Sequence, residues 1–192
     1  MARLEPLSAS HVDALARAAA EDRSSYGLAA VPEGREATER YVLQLLEARA
    51  AGEAVPFVQV RVADDGVVGA TRYLNLRRRP DGALYAVEVG GTWLAASAQG
   101  SGINTEAKLL LMTQAFDVWG VNRLDIKTDA RNAKARRAIA ALGASFEGVL
   151  RQWQPSQAPA EADRLRDTAM YSVVRAEWPV VQARLQERLN LY

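Results

Sequence analysis

The spacing of apolar and polar positions divides the chain into alternating extended and helical stretches. Residues 3–7 (Arg-Leu-Glu-Pro-Leu) read as a short first strand, and residues 8–21 as a helix with Ser10 at its N-cap and Asp13 in its first turn. Residues 22–34 hold Ser, Gly and Pro and read as a loop. A second helix follows over 35–51, with Tyr41, Leu45 and Leu46 near helical spacing and Gly52 just past its end.

The period then changes to two. Residues 56–62 and 67–76 alternate around Asp64-Asp65-Gly66, a hairpin-turn signal, and residues 84–94 form another strand after Pro80-Asp81-Gly82. Helical spacing returns over 104–119, closed by Gly120, and again over 132–142, closed by Gly143, with a short strand at 123–127 between them. Strands at 146–153 and 169–175 flank a loop over 155–166, and a last helix spans 178–189. Helices and strands interleave while the middle hairpins are antiparallel, so a mixed sheet is expected. No repeat or composition shift marks a boundary, and the expectation is a single domain over 1–192.

Composition narrows the chemistry. Among 192 residues, 24 Lys and Arg nearly balance 23 Asp and Glu, leaving a net charge of +1 and no basic footprint for nucleic acid or a membrane surface. With no cysteine, disulfides, thiolate metal sites and a cysteine acyl-enzyme are excluded. His11, the single histidine, lies on the first helix, so no serine triad can be assembled and no metal site is expected. The chain has no long apolar run and its start lacks a signal-peptide pattern, from which a cytoplasmic location is expected.

The informative stretch runs from 88 to 148. At its centre, Gln99-Gly100-Ser101-Gly102-Ile103-Asn104-Thr105 joins a strand ending at Leu94 to a helix starting near Asn104. Two glycines one residue apart let the backbone approach a ligand, and the free N–H groups of a helix start make an anion site suited to a pyrophosphate. The dinucleotide fingerprint fails because Thr105 stands where a third glycine is needed, and the Walker A Gly-Lys-Ser/Thr is absent.

Gly91-Thr92-Trp93-Leu94 and Gln99-Gly100-Ser101-Gly102-Ile103-Asn104-Thr105-Glu106-Ala107-Lys108 together resemble the acetyl-CoA-binding motif Q/R-x-x-G-x-G/A of RimJ/RimL-type GNAT acetyltransferases. Asn122-Arg123-Leu124, Lys127-Thr128-Asp129-Ala130-Arg131-Asn132, Leu142-Gly143-Ala144 and Phe146-Glu147-Gly148 extend the likeness. It implies a GNAT fold: a central mixed, mostly antiparallel sheet of about seven strands, splayed between the fourth and fifth, with about four to five helices around it.

The same likeness implies acetyl-CoA as donor, without a metal, and direct transfer to an amine. Thr92, Trp93 and Leu94 would meet pantetheine through their backbone, with an N–H near Trp93 or Leu94 as oxyanion donor. Gln99, Gly100, Ser101, Gly102, Ile103, Asn104 and Thr105 would cradle the pyrophosphate, Asn132 would stand at the mouth of the splay, and Lys134 and Arg137 would lie near the adenosine phosphate.

The chain departs from the family pattern at three places: Asn104 ends the motif, Ala135 stands where a serine is frequent, and Gln154 where some relatives carry an acid. The acid–base assignment therefore does not transfer. Glu88 is the candidate base, against a carboxylate merely paired on the sheet, and Tyr85 or Tyr73 the candidate acid, against tyrosines that pack the sheet. Asp167 and Glu147 are expected to hold local structure. The amine remains open, its surface expected from the first two helices and the loops 22–34 and 155–166. The alternative is a catalytically silent acyl-CoA-binding GNAT domain acting as sensor or scaffold. The chain would act as a monomer or homodimer: Val180, Val181, Leu185 and Leu189 make a stripe for docking on its own sheet or on a second copy.

Overall fold

A computed structural model describes residues 1–158, 161 and 163–192. Seven strands form one sheet: β1 (Ala2–Pro6), β2 (Ala54–Arg61), β3 (Gly66–Arg78), β4 (Leu84–Leu94), β5 (Arg123–Asp129), β6 (Ser145–Pro155) and β7 (Leu165–Val174). Their spatial order is β1-β2-β3-β4-β5-β7-β6, every neighbouring pair antiparallel except β4 and β5. The helices are α1 (Val12–Ala20), α2 (Gly34–Ala50), α3 (Ile103–Thr113), α4 (Ala133–Ala141) and α5 (Trp178–Leu189). The mixed sheet expected from the alternating hairpins is therefore present, with the seven strands and five helices that the family likeness implies. No helix among the described residues is long and apolar enough to cross a membrane.

The period of two along the strands sorts side chains into two cores. Val58, Val60, Val68 and Ala70 bury against Leu15 of α1 and Val42 and Leu45 of α2. Tyr73, Val87, Val89, Leu124 and Val173 bury on the opposite face with Leu111 and Met112 of α3 and Trp178, Val181 and Leu185 of α5. Of the α5 stripe, Val181 and Leu185 dock within the chain, Leu189 is half-buried and Val180 faces solvent.

On the α1–α2 face, the C-terminal half of the sheet carries charges in place of an apolar core. Arg77 and Arg123 both pair with Asp125, Arg123 also holds Glu147, and Lys127 pairs with Glu88. This charged floor borders the site described below.

Three local readings differ from the structure. Ser8, not Ser10, opens the first helical segment; a 3-10 turn (Ala9–His11) precedes α1, and the Ser8 N–H donates to His11 Nδ1 at 3.1 Å. The expected helix over 104–119 stops at Thr113 and continues as a π turn over Gln114–Val118, where Arg175 donates to the Phe116 carbonyl at 2.5 Å. β7 starts at Leu165 instead of 169. Its early buried positions are Arg166 and Thr168, so an apolar period could not show them.

Candidate functional site

β4 and β5 pair through only Ala86–Arg123, Val87–Leu124 and Glu88–Asp125. Beyond Glu88 they part, although β4 runs on to Leu94 and β5 to Asp129. The facing edges carry backbone N–H and C=O groups that lack a neighbouring strand, a slot an extended chain can fill by strand-like pairing. Thr92, Trp93 and Leu94 form the β4 wall of this slot.

A bulge shapes that wall. Between the pairs Ala70–Trp93 and Arg72–Gly90, β4 holds one residue more than β3. Gly91 absorbs it at φ +57°, and a Cβ there would sit 2.5 Å from Arg72 Nη1, so the guanidinium lies directly on the Gly91 backbone. The Trp93 ring meets Tyr26 edge-on at 6.1 Å and is buried.

The glycine turn follows after a short 3-10 turn (Ala96–Ala98). Gly100 adopts φ +74° and has no atom within 4 Å of where its Cβ would be, leaving open space beside the start of α3. The Gln99 amide fixes the turn: Nε2 donates to the Leu94 carbonyl at 2.9 Å and to Ser25 Oγ at 3.0 Å, while Oε1 accepts from Lys134. Ser101 Oγ donates to the Ala98 carbonyl at 2.6 Å. The first N–H groups of α3 have no intrahelical partners, and that of Ile103 donates to Ser101 Oγ at 3.4 Å.

The individual residues of the expected cradle play unequal parts. Ile103 and Thr105 are buried, so only their backbone can serve an anion. Gly102 is covered by Met1 and Tyr192; a Cβ on it would meet Met1 Sδ at 2.5 Å. Asn104 keeps a buried Oδ1 without a donor. Across the slot, Asn132 caps α4, its Oδ1 accepting from the Ala135 N–H at 2.9 Å. Lys134 spans the mouth to Gln99, and Arg137, further along α4, is exposed.

Glu88 stands at the last paired rung before the slot and is 4% exposed. Its Oε2 accepts from Asn75 Nδ2 at 2.7 Å and lies 3.0 Å from Lys127 Nζ. Oε1, beside Gly90, takes no protein donor among the described residues. One oxygen of this carboxylate is thus paired on the sheet, while the other holds no protein donor among the described residues.

Tyr85 is not brought to the site. It lies three residues before Glu88, at the end of β4 away from the slot, and is 38% exposed. At about 3.3 Å per residue it stands over 20 Å along the strand from Trp93. Tyr73 is a core residue whose hydroxyl donates to the Leu111 carbonyl at 2.6 Å, burial holding its pKa far above the usual range. Asp167 accepts from the Gln152 N–H, and Glu147, held near pKa 2 by Arg123 and Ser172, is structural as expected. His11 stays at the start of α1, away from the slot.

Two residues escaped the sequence reading. Lys108 of α3 is 3% exposed, and its Nζ donates to Thr71 Oγ1 at 3.2 Å and Thr92 Oγ1 at 2.5 Å. No carboxylate is within ion-pair distance of it among the described residues, and burial pulls its pKa down to about 7. The signal was available: Lys108 interrupts the buried helical stripe of Ile103, Ala107, Leu111 and Met112. The second is Arg72, which faces a cleft of about 400 Å³ between α2, the segment before it and Gly91. Gln157 closes one side; residues 159, 160 and 162 of the expected specificity loop lie outside the described residues.

The sequence profile of the acetyltransferase (GNAT) domain matches residues 2–145. A candidate acetyltransferase from T. thermophilus superposes with a TM-score of 0.80 at 35% identity, covering 98% of this chain and 93% of that one. A GCN5-related N-acetyltransferase from Brucella melitensis gives 0.82 at 28% identity, covering 98% and 82%. Mycobacterium smegmatis RimJ, solved with CoA-disulfide, gives 0.79 at 22% identity over 97% and 88%, a likeness of fold. No curated protein matches the chain.

Proposed function

This chain belongs to the GNAT acetyltransferase family, and we propose that it moves the acetyl group of acetyl-CoA directly to a primary amine. The observation that carries this reading is the slot between β4 and β5, opening immediately after Glu88 and flanked by the glycine turn at the start of α3. The residues present fit the donor. The open face at Gly100 and the N–H groups at the start of α3 that lack intrahelical partners suit a pyrophosphate, and the unpaired β4 edge from Thr92 to Leu94 suits an amide-bearing arm. When bound, the donor supplies a thioester carbonyl as the acetyl source.

The protein's own groups then do the rest. The 400 Å³ cleft admits the amine from the α2 side, and Glu88 Oε1 receives a proton from the incoming ammonium, directly or through one water. Lys127 and Asn75 hold the other carboxylate oxygen, fixing the acceptor orbital toward the slot. A backbone N–H near Trp93 or Leu94 donates to the carbonyl oxygen as it gains charge. An N–C bond forms and the C–S bond breaks; of the two protons the ammonium loses, one ends on the thiol and one in solvent.

The test measures thiol release from acetyl-CoA across peptides with free N-termini, polyamines, amino sugars and amino acids, with calorimetry of CoA binding in parallel. Amine-dependent release in the wild type is expected. Gly100→Pro, which removes an N–H and cannot adopt φ +74°, should abolish CoA binding. Glu88→Gln should keep CoA binding and lower kcat on the order of 10²-fold. CoA binding without turnover on any amine would sink the transfer reading.

A further inference from the structure

We propose that the cleft reads an anion on the acceptor: it takes an amine with a carboxylate a few bonds away, and Arg72 recognises that carboxylate. The amine half of this statement rests on the acetyl-transfer reading above; the anion half rests on the cleft itself.

The charges come first. Arg40 and Arg72 are the charged residues of the lining, with no acid among them, and Arg40 is already neutralised by Glu36 at 2.5 Å. Arg72 is half-buried and has no carboxylate within ion-pair distance among the described residues. Arg77 and Arg123, on the same face of the sheet, are served differently: each holds an acidic partner. A partly desolvated guanidinium without a counter-charge is costly, and a ligand anion would repay that cost.

Other donors converge on the same place. The Tyr41 hydroxyl is pushed up by burial, while Arg72 and the Trp93 indole beside it pull the other way. Trp93 is 5% exposed, and its Nε1–H lies beside the Tyr41 hydroxyl without completing a well-aligned hydrogen bond. An indole N–H, a hydroxyl and a guanidinium grouped with no carboxylate paired to the guanidinium among the described residues make a setting that an oxygen anion completes.

The spacing selects the ligand. Arg72 pairs across the sheet with Gly90, which makes Glu88 its diagonal neighbour on the same face. Such diagonal neighbours are within reach of long side chains, so one small ligand can bring its amine to Glu88 and its carboxylate to Arg72. An α-amino acid, or an N-terminal residue whose own side chain is acidic, carries the two groups that close together. The cleft volume of about 400 Å³ holds a head of that size and excludes a folded surface.

The experiment uses matched pairs that differ only in the anion: an L-amino acid against its carboxamide, and Asp-Ala-Ala against Asn-Ala-Ala. The first pair reports free amino acids as the source and the second reports peptide N-termini. kcat/KM is measured for wild type, Arg72→Gln and Arg72→Lys. Independently of turnover, calorimetry measures how N-acetylated carboxylates and N-acetylated amides bind the CoA-loaded protein. In at least one pair the wild type should favour the carboxylate by tenfold or more in both readouts. Arg72→Gln should bring the ratio to near one, with Arg72→Lys in between. Equal handling of carboxylate and amide in both pairs overturns the proposal, even if amines are acetylated well. So does an Arg72→Gln variant that slows both members of a pair by the same factor, since that marks Arg72 as serving the reacting carbonyl. Preferential binding of the acetylated carboxylates without turnover would support the anion site while rejecting the transfer reading.

Discussion

Lys108 offers a quantitative test of how β3 and β4 are held against α3. Its ammonium is buried by α3 against Thr71 of β3 and Thr92 of β4, with two hydroxyls and, among the described residues, no carboxylate to stabilise the charge. Burial lowers its pKa from 10.5 to about 7. The sign follows from proton counting. Between the two values the unfolded chain holds the proton and the native protein does not, so stability rises with pH from about 7 to 10.5. The slope approaches about 1.4 kcal/mol per pH unit, and integration from pH 7 to pH 9 gives about 2 kcal/mol. Lys108→Met keeps an unbranched apolar stem and leaves Thr71 and Thr92 hydrogen-bonded to each other at 2.9 Å. Urea unfolding of both proteins at several pH values isolates the effect, because every other titrating group cancels in the difference. Wild type should gain on Lys108→Met by about 2 kcal/mol between pH 7 and pH 9. A difference flat within about 0.5 kcal/mol across that range would show that Lys108 stays protonated, and the argument from burial would fail.

Two further perturbations test the scaffold. Gly91→Ala places a Cβ 2.5 Å from the Arg72 guanidinium at φ +57°, so melting should report a loss of about 1–3 kcal/mol, and any measured preference for acidic acceptors should fall with it. Asn132→Ala removes the cap on the Ala135 N–H; unfolding should show a loss of about 0.5–2 kcal/mol, and CoA affinity should drop because α4 borders the mouth of the slot.

How far the sequence revealed this molecule depended on how each element is stabilised. Strands and helices with an apolar period were visible to within a few residues: the strand over 84–94 and the helix over 178–189 have the bounds their patterns implied. The glycine turn was legible because its backbone needs are written in residue types that few other contexts require. Period failed where polar side chains were buried, as at Arg166 and Thr168, which hid the start of β7. It also failed where two elements had to meet before a residue acquired a role. Gln99 reads as a motif position, yet its work is to join Leu94, Ser25 and Lys134, three partners far apart in sequence or separated by a turn. Tyr85 shows the same limit from the other side. It was named as candidate acid beside Glu88 as base, but an extended strand carries neighbours apart at about 3.3 Å per residue and alternates their faces. A base and its acid on one strand can share a pocket only at an even offset and within a few rungs. Arg72 meets that condition through the β3–β4 register, since it faces Gly90 directly and Glu88 diagonally. The bulge at Gly91 sets that register, so the relation between Glu88 and Arg72 was contained in a glycine pair whose meaning depends on the partner strand.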